Sequence, residues 1–95
     1  MQPKGAIAET MREKLAAAFQ PGRLEIVDDS ARHQGHAGAR EGGESHFNVL
    51  IESAAFAGAG KVARQRMVYR VLAEELAGPV HALSLRTLAP GEGGD

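Results

Sequence analysis

Histidine is the side chain of this sequence best suited to bind a metal ion, because the chain contains four histidines and no cysteine. A neutral imidazole nitrogen is a good ligand for zinc, copper, iron and nickel. His33 and His36 stand in a His-x-x-His spacing within a glycine-rich segment. In a flexible loop that spacing is a weak metal signal, so spacing alone favours two solvated histidines without a ligand role.

The other two histidines stand in segments of alternating hydrophobicity. His81 is the second residue after Gly78-Pro79 and shares its parity with Leu83. This parity would place His81 on a packed face, and the pattern alone favours a hydrogen-bonded structural histidine over a ligand. His46 precedes Phe47 and belongs to the opposite face of the same predicted strand. That position predicts a structural role, or a role beside a metal ligand, in preference to ligation.

Four basic side chains form a second candidate site. Arg66 and Arg70 are one helical turn apart and lie away from the apolar stripe of a predicted helix. Lys61 and Arg64 lie at the start of the same segment, and together the four could contact phosphate groups or a partner. With 11 basic and 12 acidic residues the formal net charge is −1, so the chain has no general attraction to nucleic acid. A solvated helix surface is therefore favoured.

Length and composition indicate one small folded domain. The chain has 95 residues, of which 43% are hydrophobic and 24% are charged, values typical of a globular protein. A core of this size does not divide in two, so we predict a single domain over residues 1–95. No apolar run approaches the ~20 residues of a membrane helix. We therefore predict a cytoplasmic protein without a membrane span.

The absence of cysteine narrows the chemistry further. It excludes disulfides, thiol nucleophiles and any cysteine-ligated metal site built from this chain alone. No pairing of a nucleophile with a base and an orienting group stands out, and Asp28-Asp29 is more simply the end of a strand. We therefore predict a binding protein and not an enzyme.

The first half of the chain predicts a helix, a strand and a loop. An apolar residue at every fourth position predicts an amphipathic helix over residues 6–19. Gln20-Pro21-Gly22 ends this helix, and a short strand follows over residues 23–28. Residues 29–43 contain four glycines and no apolar periodicity, which predicts a mobile loop. The helical stripe consists of Ile7, Met11, Leu15 and Phe19.

The second half predicts a strand followed by helical structure. Residues 45–52 alternate in hydrophobicity and predict a strand with one buried face. A short helical turn over residues 55–60 precedes a long helix over residues 61–76, which Gly78-Pro79 ends. The predicted core positions are Phe47, Val49 and Ile51 in the strand and Val68, Val71, Leu72 and Leu76 in the helix.

The last strand completes an α+β fold. Residues 80–88 alternate again, and residues 90–95 are predicted to be disordered, which leaves an ordered core of about residues 6–89. The first two strands would pair as a hairpin, whereas a strand-helix-strand connection crosses over and makes its strands parallel. The sequence therefore predicts a mixed three-stranded sheet with the helices packed on one face.

Five sequence words stand in order and at compatible spacing along the chain. They are Leu24-Glu25-Ile26-Val27-Asp28-Asp29-Ser30, Gly43-Glu44-Ser45-His46-Phe47-Asn48-Val49, Arg64-Gln65-Arg66-Met67-Val68-Tyr69, Leu72-Ala73-Glu74-Glu75-Leu76 and Val80-His81-Ala82-Leu83. Together they resemble the BolA family. The resemblance covers nearly the whole chain, from Ile7 to Pro90, so it is more specific than any single short motif. It implies a fold similar to the type II KH domain, with element order α-β-β-α-α-β.

The resemblance also implies a function. Members of this family bind monothiol glutaredoxins and share a [2Fe-2S] cluster with them, in cluster trafficking or iron homeostasis, and some are described as transcriptional regulators. His81 matches the cluster-ligating histidine of the family. The second histidine ligand comes from the loop after the first strand, where His33 ranks above His36. DNA binding by the basic residues is the alternative function.

The resemblance implies that the remaining ligands come from the partner. Histidines can replace two of the thiolates that hold an iron–sulfur cluster, and this chain has no thiolate to offer. The glutaredoxin cysteine and a glutathione thiolate would complete the site, so no cofactor is expected in the isolated chain. The sequence departs from the family at Phe56-Ala57-Gly58-Ala59, where relatives often carry Phe-x-Gly-Lys, and at Gln65, where the usual residue is histidine. The first departure weakens a nucleic-acid contact at that lysine.

Overall fold

The computed structural model describes residues 6–29 and 46–92. Residues 30–45, which include His33 and His36, lie outside the described residues, as do the ends of the chain at 1–5 and 93–95. The elements are, in chain order, helix α1 (Ala6–Phe19), strand β1 (Arg23–Asp28), strand β2 (His46–Glu52), a 3₁₀ turn (Ala54–Phe56), helix α2 (Lys61–Val71), helix α3 (Ala73–Ala77) and strand β3 (Ala82–Leu88).

The three strands form one mixed sheet in the order β1-β2-β3. Strand β1 pairs antiparallel with β2, and β2 pairs parallel with β3. The predicted hairpin and the predicted crossover are therefore both confirmed. Strand β2 lies in the centre of the sheet. Helix α1, which precedes the hairpin, and the crossover helices α2 and α3 therefore lie on the same sheet. The arrangement is compatible with a KH-like fold.

The core lies between the helices and one face of the sheet. The predicted stripe of α1 is confirmed, since Met11 and Leu15 are fully buried and Phe19 nearly so. On β2 the alternation is also confirmed, with Phe47 buried and its neighbours along the other face half-buried. The ring of Phe19 packs against that of Phe56, with centroids 5.1 Å apart. The buried cluster also contains Val49, Ile51, Val68, Leu72 and Val80.

The predicted long helix over residues 61–76 is interrupted. The backbone of Leu72 (φ −101°, ψ 21°) separates α2 from α3. Its N–H still donates to the carbonyl of Val68, and its own carbonyl accepts from Leu76 N–H, both at 3.0 Å. These hydrogen bonds therefore continue across the interruption. The side chain of Leu72 is fully buried, so the interruption lies at a core position.

The connection from α1 to β1 is fixed by a left-handed residue and a buried serine. Gln20 has φ 46° and its N–H donates to the carbonyl of Ala16 at 3.0 Å, which ends the helix. The hydroxyl of Ser53 donates to the carbonyl of Phe19 at 2.7 Å and accepts from Ala55 N–H at 3.1 Å. Ser53 therefore joins the end of α1 to the start of the 3₁₀ turn.

The ordered structure continues beyond the predicted end of the core at residue 89. Residues 90–92 form a turn in which Glu92 N–H donates to the carbonyl of Ala89 at 3.0 Å. The Glu92 carboxylate returns to accept from Ala89 N–H at 3.0 Å. The predicted disordered tail thus contains a hydrogen-bonded turn over its first three residues, while residues 93–95 lie outside the described part of the chain.

None of the helices within residues 6–29 and 46–92 has the combination of length and apolarity that crossing a membrane requires.

Candidate functional site

His81 lies at the end of the sheet where β1 ends and β2 begins. Strand β1 ends and strand β2 begins at this end, with Asp28 paired to Phe47. In the parallel register Ala82, the first residue of β3, is the partner of His46. His81 therefore lies one residue before the strand, at the end of the sheet where the chain leaves for residues 30–45 and returns. This is the positional relationship that a ligand pair from the loop and His81 requires.

The backbone of His81 is fixed on both sides. The preceding residue, Val80, is 3% exposed and its N–H donates to the carbonyl of Glu75 at 3.0 Å. The following residue, Ala82, begins the strand. His81 itself is exposed. The shared parity with Leu83 predicted that His81 would lie on a packed face. That prediction is wrong, because the strand begins at Ala82 and not at residue 80.

A charged cluster connects α3, which precedes His81, to α1. The ammonium of Lys14 contacts the Glu75 carboxylate at 2.8 Å and that of Glu74 at 2.9 Å. These hydrogen bonds, first to Glu75 and then to Glu74, raise the pKa of Lys14. Glu75 is 9% exposed, and the ammonium of Lys14 balances the charge of its carboxylate. This ion pair lies just before the segment that leads to His81.

His46 lies beside His81. Their ring centroids are 6.4 Å apart and their planes are inclined by 19°. The sequence predicted His46 to be structural or to stand next to a ligand, on the face opposite Phe47. The structure confirms the face, since His46 is half-buried while Phe47 is 1% exposed. The parallel register pairs His46 with Ala82, and His81 lies one residue before Ala82, outside the strand. Alternation within a single strand therefore does not reveal the contact between the two histidines.

The described residues do not form a complete metal site by themselves. Within the described residues, no group of three or more histidine and carboxylate side chains is placed to hold a metal ion. An exposed imidazole is nevertheless the correct donor for an iron–sulfur cluster in which nitrogen replaces sulfur on one iron. The donor chemistry of His81 fits a [2Fe-2S] cluster whose other ligands come from elsewhere. His33 and His36, the predicted loop ligands, are outside the described residues.

Of the four predicted basic residues, Arg64 has a structural role. Its guanidinium donates to the carbonyls of Ala59 at 2.8 Å and Thr87 at 3.2 Å, and pairs with the carboxylate of Glu92. Its side chain is 12% exposed. Hydrogen bonding to Glu92 raises the pKa of Arg64. The charge of Arg64 is therefore already paired within the protein, and its assignment to a nucleic-acid or partner face stays a prediction.

The other three basic residues are exposed, as predicted. Lys61, Arg66 and Arg70 all lie on the surface of α2. Near the start of this helix is an open cavity of about 360 Å³, lined in part by Lys61, Arg64 and Arg86. Arg86 was not among the predicted basic residues, since alternation in β3 gives no indication that it lies beside the helix start. The surface that could meet an anion therefore includes one strand residue as well as the helix.

Comparison with known proteins assigns the family. A family model described as BolA-like protein matches residues 15–92. The chain belongs to the BolA family. Its BolA relatives include the DNA-binding transcriptional regulator BolA of Escherichia coli, which is 52% identical over 81 residues, covering 85% of this chain and 73% of that protein.

Solved BolA structures have the same fold. The BolA domain of SufE1 from Arabidopsis thaliana superposes with a TM-score of 0.83 at 41% identity, covering 93% of this chain and 96% of that one. BolA1 from Arabidopsis thaliana superposes with a TM-score of 0.81 at 44% identity, covering 97% of both chains. The α+β architecture is thus shared over the whole domain.

Proposed function

We propose that this chain is a cytoplasmic BolA-like adaptor that binds a monothiol glutaredoxin and co-ligates a [2Fe-2S] cluster shared with it. Its role would be in iron–sulfur cluster trafficking or iron homeostasis, without enzymatic activity of its own. The observation that carries the proposal is the exposed imidazole of His81 at the sheet end from which residues 30–45 extend. Membership of the BolA family supports it.

The length of chain available supports His33 as the second ligand. His33 follows Asp29, whose N–H donates to the carbonyl of His46 at 2.7 Å. Four residues of extended chain span at most about 14 Å, which limits how far His33 can lie from Asp29. His36 is seven residues from Asp29, which permits about 25 Å and restrains it less. The ranking of His33 above His36 is therefore kept in the proposal.

The donor set makes the partner necessary. Two imidazoles satisfy one iron of the cluster, and this chain contains no cysteine for the other. The glutaredoxin cysteine and a glutathione thiolate are the proposed ligands on that side. When bound, the cluster would supply the redox and transfer chemistry, while His81 and the loop histidine hold it at the surface of the sheet.

Co-expression with a monothiol glutaredoxin and glutathione tests this proposal. Visible absorption and circular dichroism report the cluster, and they are recorded for the natural chain, His81→Ala, His33→Ala and His36→Ala. We expect His81→Ala to alter the spectrum and shorten the cluster lifetime, with His33→Ala second and His36→Ala close to the natural chain. Arg12→Ala is a control on an exposed side chain of α1. If His81→Ala matched that control, the proposed ligand would be wrong.

DNA binding is the second candidate, supported by the exposed basic residues of α2 and by the name of the Escherichia coli relative. It predicts binding to duplex DNA that weakens steeply as salt is added, because each phosphate contact releases counterions. Arg66→Ala and Arg70→Ala should each weaken this binding and reduce the salt dependence. Arg12→Ala, on the exposed surface of α1, is the matched control. Absence of binding at low salt would exclude this candidate.

The two candidates separate in a single set of variants. His81→Ala should change the cluster and leave DNA binding intact, whereas Arg70→Ala should do the reverse. If the variants change only the cluster, or only DNA binding, the property that changes identifies the function of the chain.

A further inference from the structure

His46 and His81 differ in how they are held. The backbone of His46 is fixed in the central strand, whereas the side chain of His81 is exposed. His46 lies in the central strand, and its carbonyl accepts the N–H of Asp29 at 2.7 Å. Its neighbour Phe47 is 1% exposed, so the backbone at His46 is held by the core. His81 has a fixed backbone and an exposed side chain. Since the backbone is fixed, the orientation of the His81 ring depends only on its side-chain torsions.

The geometry of the pair is suited to this restriction. Aromatic rings attract one another at centroid separations of about 4.5–7 Å, and the His46–His81 distance of 6.4 Å lies within that range. The inclination of 19° places the rings nearly parallel. An exposed side chain without such a contact exchanges among its staggered rotamers. Contact with His46 favours those rotamers of His81 that keep the rings together.

Orientation matters because an imidazole binds a metal along the direction of one ring nitrogen. Groups that contact a metal-binding histidine commonly fix its ring orientation, and removing them typically lowers metal affinity by about 10–100-fold. We propose that His46 is a positioning residue that holds the His81 ring in its ligating orientation. This inference rests on the proposed function, which assigns His81 as a cluster ligand, and it goes further by assigning a role to His46.

The first arm of the test uses the full chain without a cluster. The ring-proton resonances and side-chain couplings of His81 are measured by NMR in the natural protein, in His46→Ala and in His46→Phe. We expect His46→Ala to remove the ring-current shift from His81 and to average its couplings. His46→Phe should retain both effects, because phenylalanine preserves an aromatic ring without the nitrogen atoms. Unchanged His81 signals in His46→Ala would overturn the inference.

The second arm uses the complex with a monothiol glutaredoxin and glutathione. His46→Ala should shorten the cluster lifetime by about tenfold or more. His46→Phe should restore most of it, and the circular-dichroism spectrum should follow the same order. Asn48→Ala is the control for general disturbance of β2, since Asn48 lies two residues along the same face of the strand. Thermal unfolding of each variant shows that the fold is kept.

The remaining outcomes are also decisive. If His46→Phe fails to rescue and His46→Ala is as severe as His81→Ala, His46 is a ligand and the positioning role is wrong. If the NMR signals change while the cluster lifetime does not, the contact exists without a positioning role. If His81→Ala itself leaves the cluster unchanged, the proposed function fails, and the NMR arm still reports on the contact alone.

Discussion

The guanidinium of Arg64 forms a bidentate ion pair with the carboxylate of Glu92, with Nη1–Oε1 and Nη2–Oε2 distances of 2.6 and 2.9 Å. Through its other contacts Arg64 reaches the carbonyls of Ala59 and Thr87. One side chain thus joins the segment before α2, the end of β3 and the turn that follows it. The pair is a structural joint between parts of the chain that are distant in sequence.

The pair predicts a specific loss of stability in acid. Hydrogen bonds from Arg64 and from Ala89 N–H lower the pKa of Glu92 to about 2, from an ordinary value of 4.5. A carboxyl whose pKa is lower in the folded state stabilises the fold above its unfolded pKa and loses that contribution as pH falls towards the folded value. We expect the free energy of unfolding to fall between about pH 5 and pH 2 through this group.

Urea unfolding of the natural chain and of Glu92→Gln over this pH range measures the contribution. Hydrogen bonding to Lys14 also lowers the pKa of Glu74, so the natural chain contains a second contribution of the same sign. The difference between the two proteins isolates Glu92, and it should shrink as the pH falls. A difference independent of pH would contradict the assignment. Added salt should reduce it, because the Glu92 side chain is 45% exposed.

Ser53→Ala should destabilise the domain by about 1–3 kcal/mol. Ser53 is 2% exposed, and its loss leaves the carbonyl of Phe19 and the N–H of Ala55 without the hydroxyl that they contact. Chemical denaturation measures the change. Ser84→Ala, at an exposed position of β3, should stay within about 0.5 kcal/mol of the natural chain. Equal effects at the two serines would show that the hydrogen bonds of Ser53 do not contribute.

Gln20→Gly should stabilise the domain by a few tenths to about 1 kcal/mol. Gln20 adopts φ 46°, a conformation that costs a residue with a Cβ roughly 1–2 kcal/mol, part of which the greater freedom of unfolded glycine cancels. Ala17→Gly, on the exposed surface of α1, should destabilise the domain by about 1 kcal/mol. The two glycine substitutions are thus expected to shift the melting temperature in opposite directions.

Lys14→Ala should destabilise the domain more than Arg12→Ala. Removing Lys14 leaves the carboxylate of Glu75, which is 9% exposed, without the ammonium that contacts it at 2.8 Å. Arg12 approaches Glu9 only to 4.0 Å on the exposed surface of α1, where ion pairs contribute little. Thermal unfolding of the two variants compares them. A smaller loss for Lys14→Ala would contradict the role of this cluster in holding α3 against α1.

Much of the fold was predictable because its signals are local. The four-residue repeat of α1 and the alternation of β2 each arise from one element facing one core. The structure buries the residues that the pattern selects, except Ile7, which is partly buried against the core. Chain connectivity then determined which strands are parallel. The left-handed residue at Gln20 was missed, because the sequence places the stronger turn formers at the next two positions.

The site was less predictable because its contacts join distant segments. Arg64 and Glu92 are 28 residues apart, and no local pattern pairs them. The contact between His46 and His81 depends on which residue of β3 pairs with His46 and on where β3 begins, and alternation determines neither. The family resemblance pointed to His81 where its parity with Leu83 had favoured a packed position. It gave no indication of the interruption at Leu72 between α2 and α3.

The parallel pairing of β2 with β3 has a consequence for how this family could diversify. Residues 30–45 begin and end at fixed points of the sheet, at Asp29 and His46, whatever sequence they contain. His81 is supplied separately, by the entry into β3. Under the proposed function, insertions or substitutions in the connecting segment could therefore change the second ligand, while His81 and the hydrophobic core stay unaltered.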